Sequence, residues 1–153
     1  MEQLEKQSAH RILAHSYLTY FLLCSFGLFL ETFFPLTISV PQGDTFATIC
    51  FIVGPLLILW AQYISYKYQV IRKETGEPKF NLGPYKYLRN PTHLGLLILV
   101  GGYTLVSKAA MLFIVTGVAY IISNIFFRKY ERLLESRHKD LYKTYKSSVP
   151  KIM

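Results

Sequence analysis

Two short stretches of this chain combine side chains that could do chemistry. The first runs from Gly83 to Gly95, G-P-Y-K-Y-L-R-N-P-T-H-L-G. Tyr85 and Tyr87 offer aromatic faces to a cation or a planar ring, and Arg89 offers a planar fork that matches a carboxylate. Asn90-Pro91 is the local signature of a helix start, with Asn as N-cap and Pro at the first helical position. Such an end points free backbone N–H groups and the positive end of the helix dipole at whatever lies in the loop. His93 adds a possible proton carrier. The second stretch, Arg128 to Leu134, reads R-K-Y-E-R-L-L and carries Arg128, Tyr130 and Glu131. Cys24 and Cys50 show no metal-ligand or redox spacing, so no metal is expected and core packing accounts for both.

The elements that hold these stretches are apolar and long. Of the 153 residues, 52% are hydrophobic and 16% aromatic, and the charges are confined to blocks. Phe46–Tyr66 is 21 residues without a charged side chain, enough for roughly 30 Å of hydrocarbon. Ile12–Phe34 is nearly as long and broken only by Glu31, while Leu94–Ser107 and Ala109–Phe127 are separated by the single Lys108. The first run is too long for a signal-peptide core and lacks a small-x-small cleavage site, so it is read as a span. The expectation is an all-α, integral membrane fold with four transmembrane helices in two hairpins, a cytoplasmic loop and an amphipathic C-terminal helix. Its spans would cover about 12–34, 46–66, 91–107 and 109–127, with the loop at 67–90 and the tail at 128–153, in one domain of 1–153.

Within these spans, Pro35 should end the first and Gly54-Pro55 should kink the second. Glu31, near the outer end, is expected to be wet rather than catalytic. A turn is expected at Thr75-Gly76-Glu77-Pro78. The small residues Gly95, Gly101, Gly102, Ala109, Ala110, Gly117 and Ala119 should let the last two spans pack closely.

Charge sets the orientation. Lys67 to Arg89 carries six basic residues against two Glu, and Arg128 onward carries eight against three acids, whereas Pro35–Thr45 has Asp44 and no basic residue. The positive-inside rule then places both termini and the central loop in the cytoplasm. The net charge of +8 reads as topology and attraction to membrane lipids. With no soluble basic domain to carry it, nucleic acid is not an expected partner. From Tyr130 to Val149, apolar and aromatic residues recur every three or four positions, which suits a helix lying on the inner leaflet or roofing a pocket there.

On residue chemistry alone, Asn90-Pro91 could do no more than start a span, and Arg89 could simply snorkel to headgroups. The combination of motifs adds to this. Gly83–Gly95 resembles the G-x-Y-x-x-x-R-[HN]-P-x-Y-x-G signature of the isoprenylcysteine carboxyl methyltransferase and phospholipid methyltransferase superfamily. About forty residues on, R-K-Y-E-R-L-L and the Tyr-rich D-L-Y-K-T-Y-K-S-S-V-P (Asp140–Pro150) resemble its second element. The resemblance implies an integral membrane methyltransferase that uses S-adenosylmethionine on a lipophilic small-molecule or prenylated acceptor. It assigns cofactor contact to Tyr85, Asn90, Pro91, Thr92, His93, Tyr130 and Glu131 and a catalytic role to Arg89. After a small helix rotation, Arg128 or Glu131 could substitute for the catalytic groups that the pattern places at neighbouring positions. The chain departs from the pattern at three places. His93 stands where Tyr is usual, Tyr130 replaces the first Glu of an E-E pair, and Phe126 replaces an Arg one turn earlier that is associated with a substrate carboxylate. Two alternatives follow: a non-catalytic protein of the same fold, or a sterol-reductase-like oxidoreductase using NADPH, although no dinucleotide-binding Gly pattern is present.

Overall fold

The computed structural model describes residues 2–38, 40–75 and 80–149. Four helices account for most of them: α1 (Glu2–Phe33), α2 (Gly43–Thr75), α3 (Pro91–Ser107) and α4 (Ala110–Ser148), with a one-turn 3₁₀ segment at Gly83–Lys86. The described residues form no strand beyond an isolated bridge between Thr37 and Ala109. Local chemistry sets the boundaries. α1 stops two residues before Pro35, and Asp44 sits in the first turn of α2, where the dipole favours a negative charge. α3 begins on Pro91 and ends at Lys108, whose φ of 55° turns the chain directly into α4.

The helices pack as α2 with α3 and α1 with α4, while α3 and α4 touch much less. This corrects the expected pairing of chain neighbours into two hairpins. The small residues decide the outcome. A Cβ on Gly102 would lie 2.6 Å from Cys50 Cβ of α2, and one on Gly95 would lie 2.9 Å from the Gly54 carbonyl oxygen. Gly101 and Gly117, expected at an α3–α4 seam, have nothing within 4 Å of that position. α2 continues as one helix through Pro55. Gly54 serves there as the point where two backbones meet.

At the end remote from the loop, the 35–42 connector is tied to the α3–α4 turn. Ile38 N–H donates to the Lys108 carbonyl at 2.9 Å, and Ala110 N–H donates to Leu36 at 2.9 Å. Glu31 is part of this joint: its Oε2 accepts from Met111 N–H at 3.1 Å, serving from α1 as a cap for the first turn of α4. We expect Glu31→Ala to cost about 1 kcal/mol of unfolding free energy, the usual worth of a cap. Glu31→Gln, which keeps an acceptor oxygen, should cost far less. Thermal unfolding in detergent checks both.

Two helices, α2 over Gly43–Tyr68 and α4, are long and apolar enough to cross a membrane, and Tyr17–Phe33 and Pro91–Ser107 are shorter apolar helices. All four carry large apolar side chains that no other part of the chain covers, among them Phe21, Leu59, Tyr103 and Ile121. Exposure on this scale exceeds the patches soluble monomers present to water.

Both ends of the expected loop and tail differ from expectation. α2 runs on to Thr75, well past the membrane boundary expected at 66. The turn expected at Thr75-Gly76-Glu77-Pro78 falls on 76–79, outside the described residues. α4 likewise continues beyond Phe127 and breaks only at Lys139, where φ is 36° and ψ −111°. Beyond the break, Tyr142, Tyr145 and Val149 pack together against Phe80 and Leu134, and Lys146 Nζ reaches Glu135 at 2.6 Å. On an unbroken helix those two residues would sit about 16 Å apart along the axis. The tail's tyrosines are therefore buried beneath the loop. Of the two placements expected for this helix, that fits the roof rather than the leaflet surface.

Candidate active site

The loop before α3 is fixed by its own chemistry. Gly83 has φ 53° and lies so close to α2 that a Cβ would fall 2.6 Å from Ile64 Cγ1, so only glycine fits without strain. Pro84 and Pro91 are fully buried. Asn90 occupies the N-cap position of α3 but makes no side-chain cap hydrogen bond. The expected cap is thus one of position alone, and its amide is not spent on the helix.

Arg89 leads from this loop into the interior. Its Nη1 donates to Glu131 Oε1 at 3.0 Å, with side chains only 11% and 8% exposed. Arg89 Nε is buried and has no hydrogen-bond partner among the described residues. A buried pair of this kind costs heavily in desolvation, and the guanidinium still holds donor capacity inside the protein.

Tyrosines surround the pair. Tyr145 Oη donates to the Tyr85 carbonyl at 2.8 Å, pinning the tail to the loop. Burial raises the Tyr130 phenol to about 12, reinforced by Tyr85 and Tyr68 and opposed by Arg137. The Tyr142 phenol is pushed up by burial and then by Glu131, with Arg89 opposing. Tyr145 rises for the same first reason, with Tyr85 next, and burial also raises Tyr85 against hydrogen bonds with Thr92 and Ser65. These phenols therefore remain protonated at neutral pH.

A second layer lies just beneath. His93 is 5% exposed, and its ring lies 4.1 Å from that of Phe127, 5.1 Å from Tyr17 and 6.5 Å from Tyr20. The Thr92 hydroxyl lies close enough to the Tyr17 and Tyr85 phenols to influence both.

The structure thus brings Tyr85, Arg89, Thr92, His93, Tyr130 and Glu131 to one end of the bundle, with Asn90 and the buried Pro91 where the loop enters α3. Arg128 is not among them: it is exposed, one turn from Glu131 but turned outward. Tyr87 is also exposed, with Lys86 Nζ 5.9 Å from its ring centre. Sequence reasoning gave no role to Tyr17 or Tyr20, and it left Tyr142 and Tyr145 on a helix that either lies on the leaflet or roofs a pocket. The available signal was the i, i+3 spacing of each tyrosine pair beside a basic segment.

The described residues thus form a bundle of helices with apolar, outward-facing side chains and a buried Arg–Glu pair beneath a cluster of tyrosines. The chain belongs to the phospholipid methyltransferase family, which matches residues 44–138. The matched segment contains α2, the loop, α3 and α4 up to the residue before the break, and with them both Arg89 and Glu131. It leaves α1 and the tail outside. No curated protein and no solved structure matches the chain.

Proposed function

We propose that this protein transfers a methyl group from S-adenosylmethionine to a lipophilic acceptor at the cytoplasmic face of a membrane. The observation that carries the reading is the buried Arg89–Glu131 pair, set among protonated phenols inside the segment that matches a methyltransferase family.

The residues present fit the cofactor. The unsatisfied Nε of Arg89 has the charge and planarity for an amino-acid carboxylate. Glu131 and the uncommitted amide of Asn90 are suited to amino and hydroxyl groups. The rings of Tyr85 and Tyr130 are suited to a sulfonium or an adenine. When bound, S-adenosylmethionine supplies an electrophilic methyl group. The protein's part is to align, through the loop and the first turn of α3, and to hold fixed dipoles in a site largely closed to water. Arg89 and Glu131 are the polar groups set to orient ligand, with Thr92 and His93 lining the inner side. The acceptor's apolar part would remain among the helices, entering from the bilayer. Isoprenylcysteine carboxylate, a phospholipid amine and similar lipophilic groups all meet that description.

The topology supported is four spans with both termini cytoplasmic. Tyr17 and Phe127 meet at His93, whereas Glu31 and Met111 meet at the opposite end. Gly83 meets Ile64 at the first end, and Gly102 meets Cys50 towards the second. At about 1.5 Å per residue, the shorter helices Tyr17–Phe33 and Pro91–Ser107 each cover about 25 Å. Between Arg11 and Lys67 there is no Lys or Arg, and Lys108 alone lies between Arg89 and Arg128. The loop end is therefore the basic, cytoplasmic one.

Titrating the detergent-purified protein with S-adenosylmethionine, in parallel with NADPH, tests the reading. At a hundred times its Kd the methyl donor should add about 2.7 kcal/mol of stability and NADPH none. A shift with NADPH alone would indicate an oxidoreductase, and no shift with either would indicate a bundle that has lost the chemistry.

A further inference from the structure

α4 carries a second surface that the proposed reaction does not use. Ile114, Val118, Ile121 and Ile125 stand uncovered along it, and the next exposed side chains upward are Arg128, Lys129 and Arg132. At 3.6 residues per turn, the four apolar residues together with Arg128 and Arg132 fall within about 40° of one line down the helix, and Lys129 within about 60°. The face that meets lipid chains therefore emerges as a cluster of three cations. Val118 lies ten residues below Arg128, about 15 Å along the axis, which is half of the roughly 30 Å hydrocarbon core. The apolar row beneath the cations matches the depth of one leaflet.

The acids on this part of α4 are already engaged, Glu131 with Arg89 and Glu135 with Lys146. Arg128, Lys129 and Arg132 have no ion-pair partner among the described residues. Lys129 Nζ lies 6.0 Å from the ring centre of Phe126, which keeps its ammonium close to the helix at the level where the apolar row ends. Three uncompensated cations above an apolar track complement one molecule with both features.

We propose that this face of α4 is a binding site for an anionic phospholipid of the adjoining leaflet. One acyl chain lies along Val118 to Ile125, and the phosphate is held by Arg128, Lys129 and Arg132. Arg128 and Arg132 flank Glu131 in sequence, so a phosphate bound there sets the depth of the Arg89–Glu131 pair relative to the headgroups. This site stands independently of the methyl-transfer reading.

The test is the preference of the full chain, reconstituted in phosphatidylcholine vesicles, for spin-labelled phosphatidylglycerol over spin-labelled phosphatidylcholine in its motionally restricted lipid shell. Each basic residue near the surface is worth up to about five-fold in affinity, so a preference of several-fold is expected. The triple substitution Arg128→Gln, Lys129→Gln, Arg132→Gln should abolish it, whereas Arg128→Lys with Arg132→Lys should retain it. Removing three other exposed charges at the same end, Lys86→Gln, Lys139→Gln and Lys143→Gln, should leave it nearly unchanged. The proposal is overturned by an absence of preference in the native chain, or by equal loss in the two triple variants. It is also overturned if inorganic phosphate displaces the lipid where chloride at the same ionic strength does not, since the cations would then serve a soluble anion.

Discussion

Arg89→Met is expected to lower unfolding free energy by about 3–5 kcal/mol, because it strands the Glu131 carboxylate in a site that excludes water. The pair is 3.0 Å apart and both side chains are nearly inaccessible, so neither charge can turn outward to be solvated. Glu131→Leu should cost a similar amount for the converse reason. The double variant Arg89→Met/Glu131→Leu should recover much of this loss, since replacing both members of a buried pair by apolar groups is often neutral or stabilising. Function should not follow stability. All three variants should lose S-adenosylmethionine binding, the double variant included, although it is folded. Unfolding and ligand titration on the same preparations separate the two effects. A single substitution costing less than about 1 kcal/mol would mean that the pair behaves as an exposed surface bridge, and the site described here would not exist in solution.

The second large effect is expected at the α2–α3 crossing. A side chain on Gly54 would put a Cβ 2.9 Å from the Gly95 carbonyl oxygen and 3.1 Å from Leu99 N, both backbone atoms. On Gly95 it would meet Ile58 Cγ1 at 2.7 Å and the Gly54 oxygen at 2.9 Å. The isoleucine can move aside, but the carbonyls cannot without separating the helices. Gly54→Ala and Gly95→Ala should therefore each destabilise by about 1–3 kcal/mol, the usual range for overpacking. Gly101→Ala and Gly117→Ala, which meet nothing within 4 Å, should be neutral or mildly stabilising, because alanine is the better helix former by about 1 kcal/mol. The crossing variants should also weaken ligand binding, since Thr92 and His93 ride on the first turn of α3. Equal effects at all four positions would show that the two helices do not approach at Gly54.

The helices themselves were legible in the chain because uncharged runs of membrane length and Pro, Asn and Gly punctuation leave few alternatives. Their pairing was not. In water, an amphipathic stripe tells which face is buried, but in a bilayer both faces are apolar. Gly95 and Gly102 mark close approach without naming the partner. Proximity in sequence suggested α4, and the structure places both against α2. The site shows the same division. Arg89, Tyr85 and Glu131 stood out by type and spacing, yet the salt bridge joining residues 42 positions apart depends on how α4 rises beside the loop. Tyr142 and Tyr145 could be read either as a leaflet-facing stripe or as a roof, because nothing in the local pattern announces the break at Lys139. Arg128 was considered as a stand-in for the Arg missing at Phe126, whereas helical geometry turns it outward. Glu31 was judged by its depth alone, and its partner, the first turn of a helix 80 residues on, could not be read from its neighbours.

Methyl transfer can be followed with label from methyl-tritiated S-adenosylmethionine, incubated with the purified chain in vesicles that contain a total lipid extract. Radioactivity should enter the organic phase in proportion to protein, and Arg89→Met/Glu131→Leu, though folded, should transfer none. Transfer that persists undiminished in that variant would contradict the assignment of the site. Tight binding of the donor with no label leaving the aqueous phase, under any acceptor class named above, would contradict the assignment of the reaction.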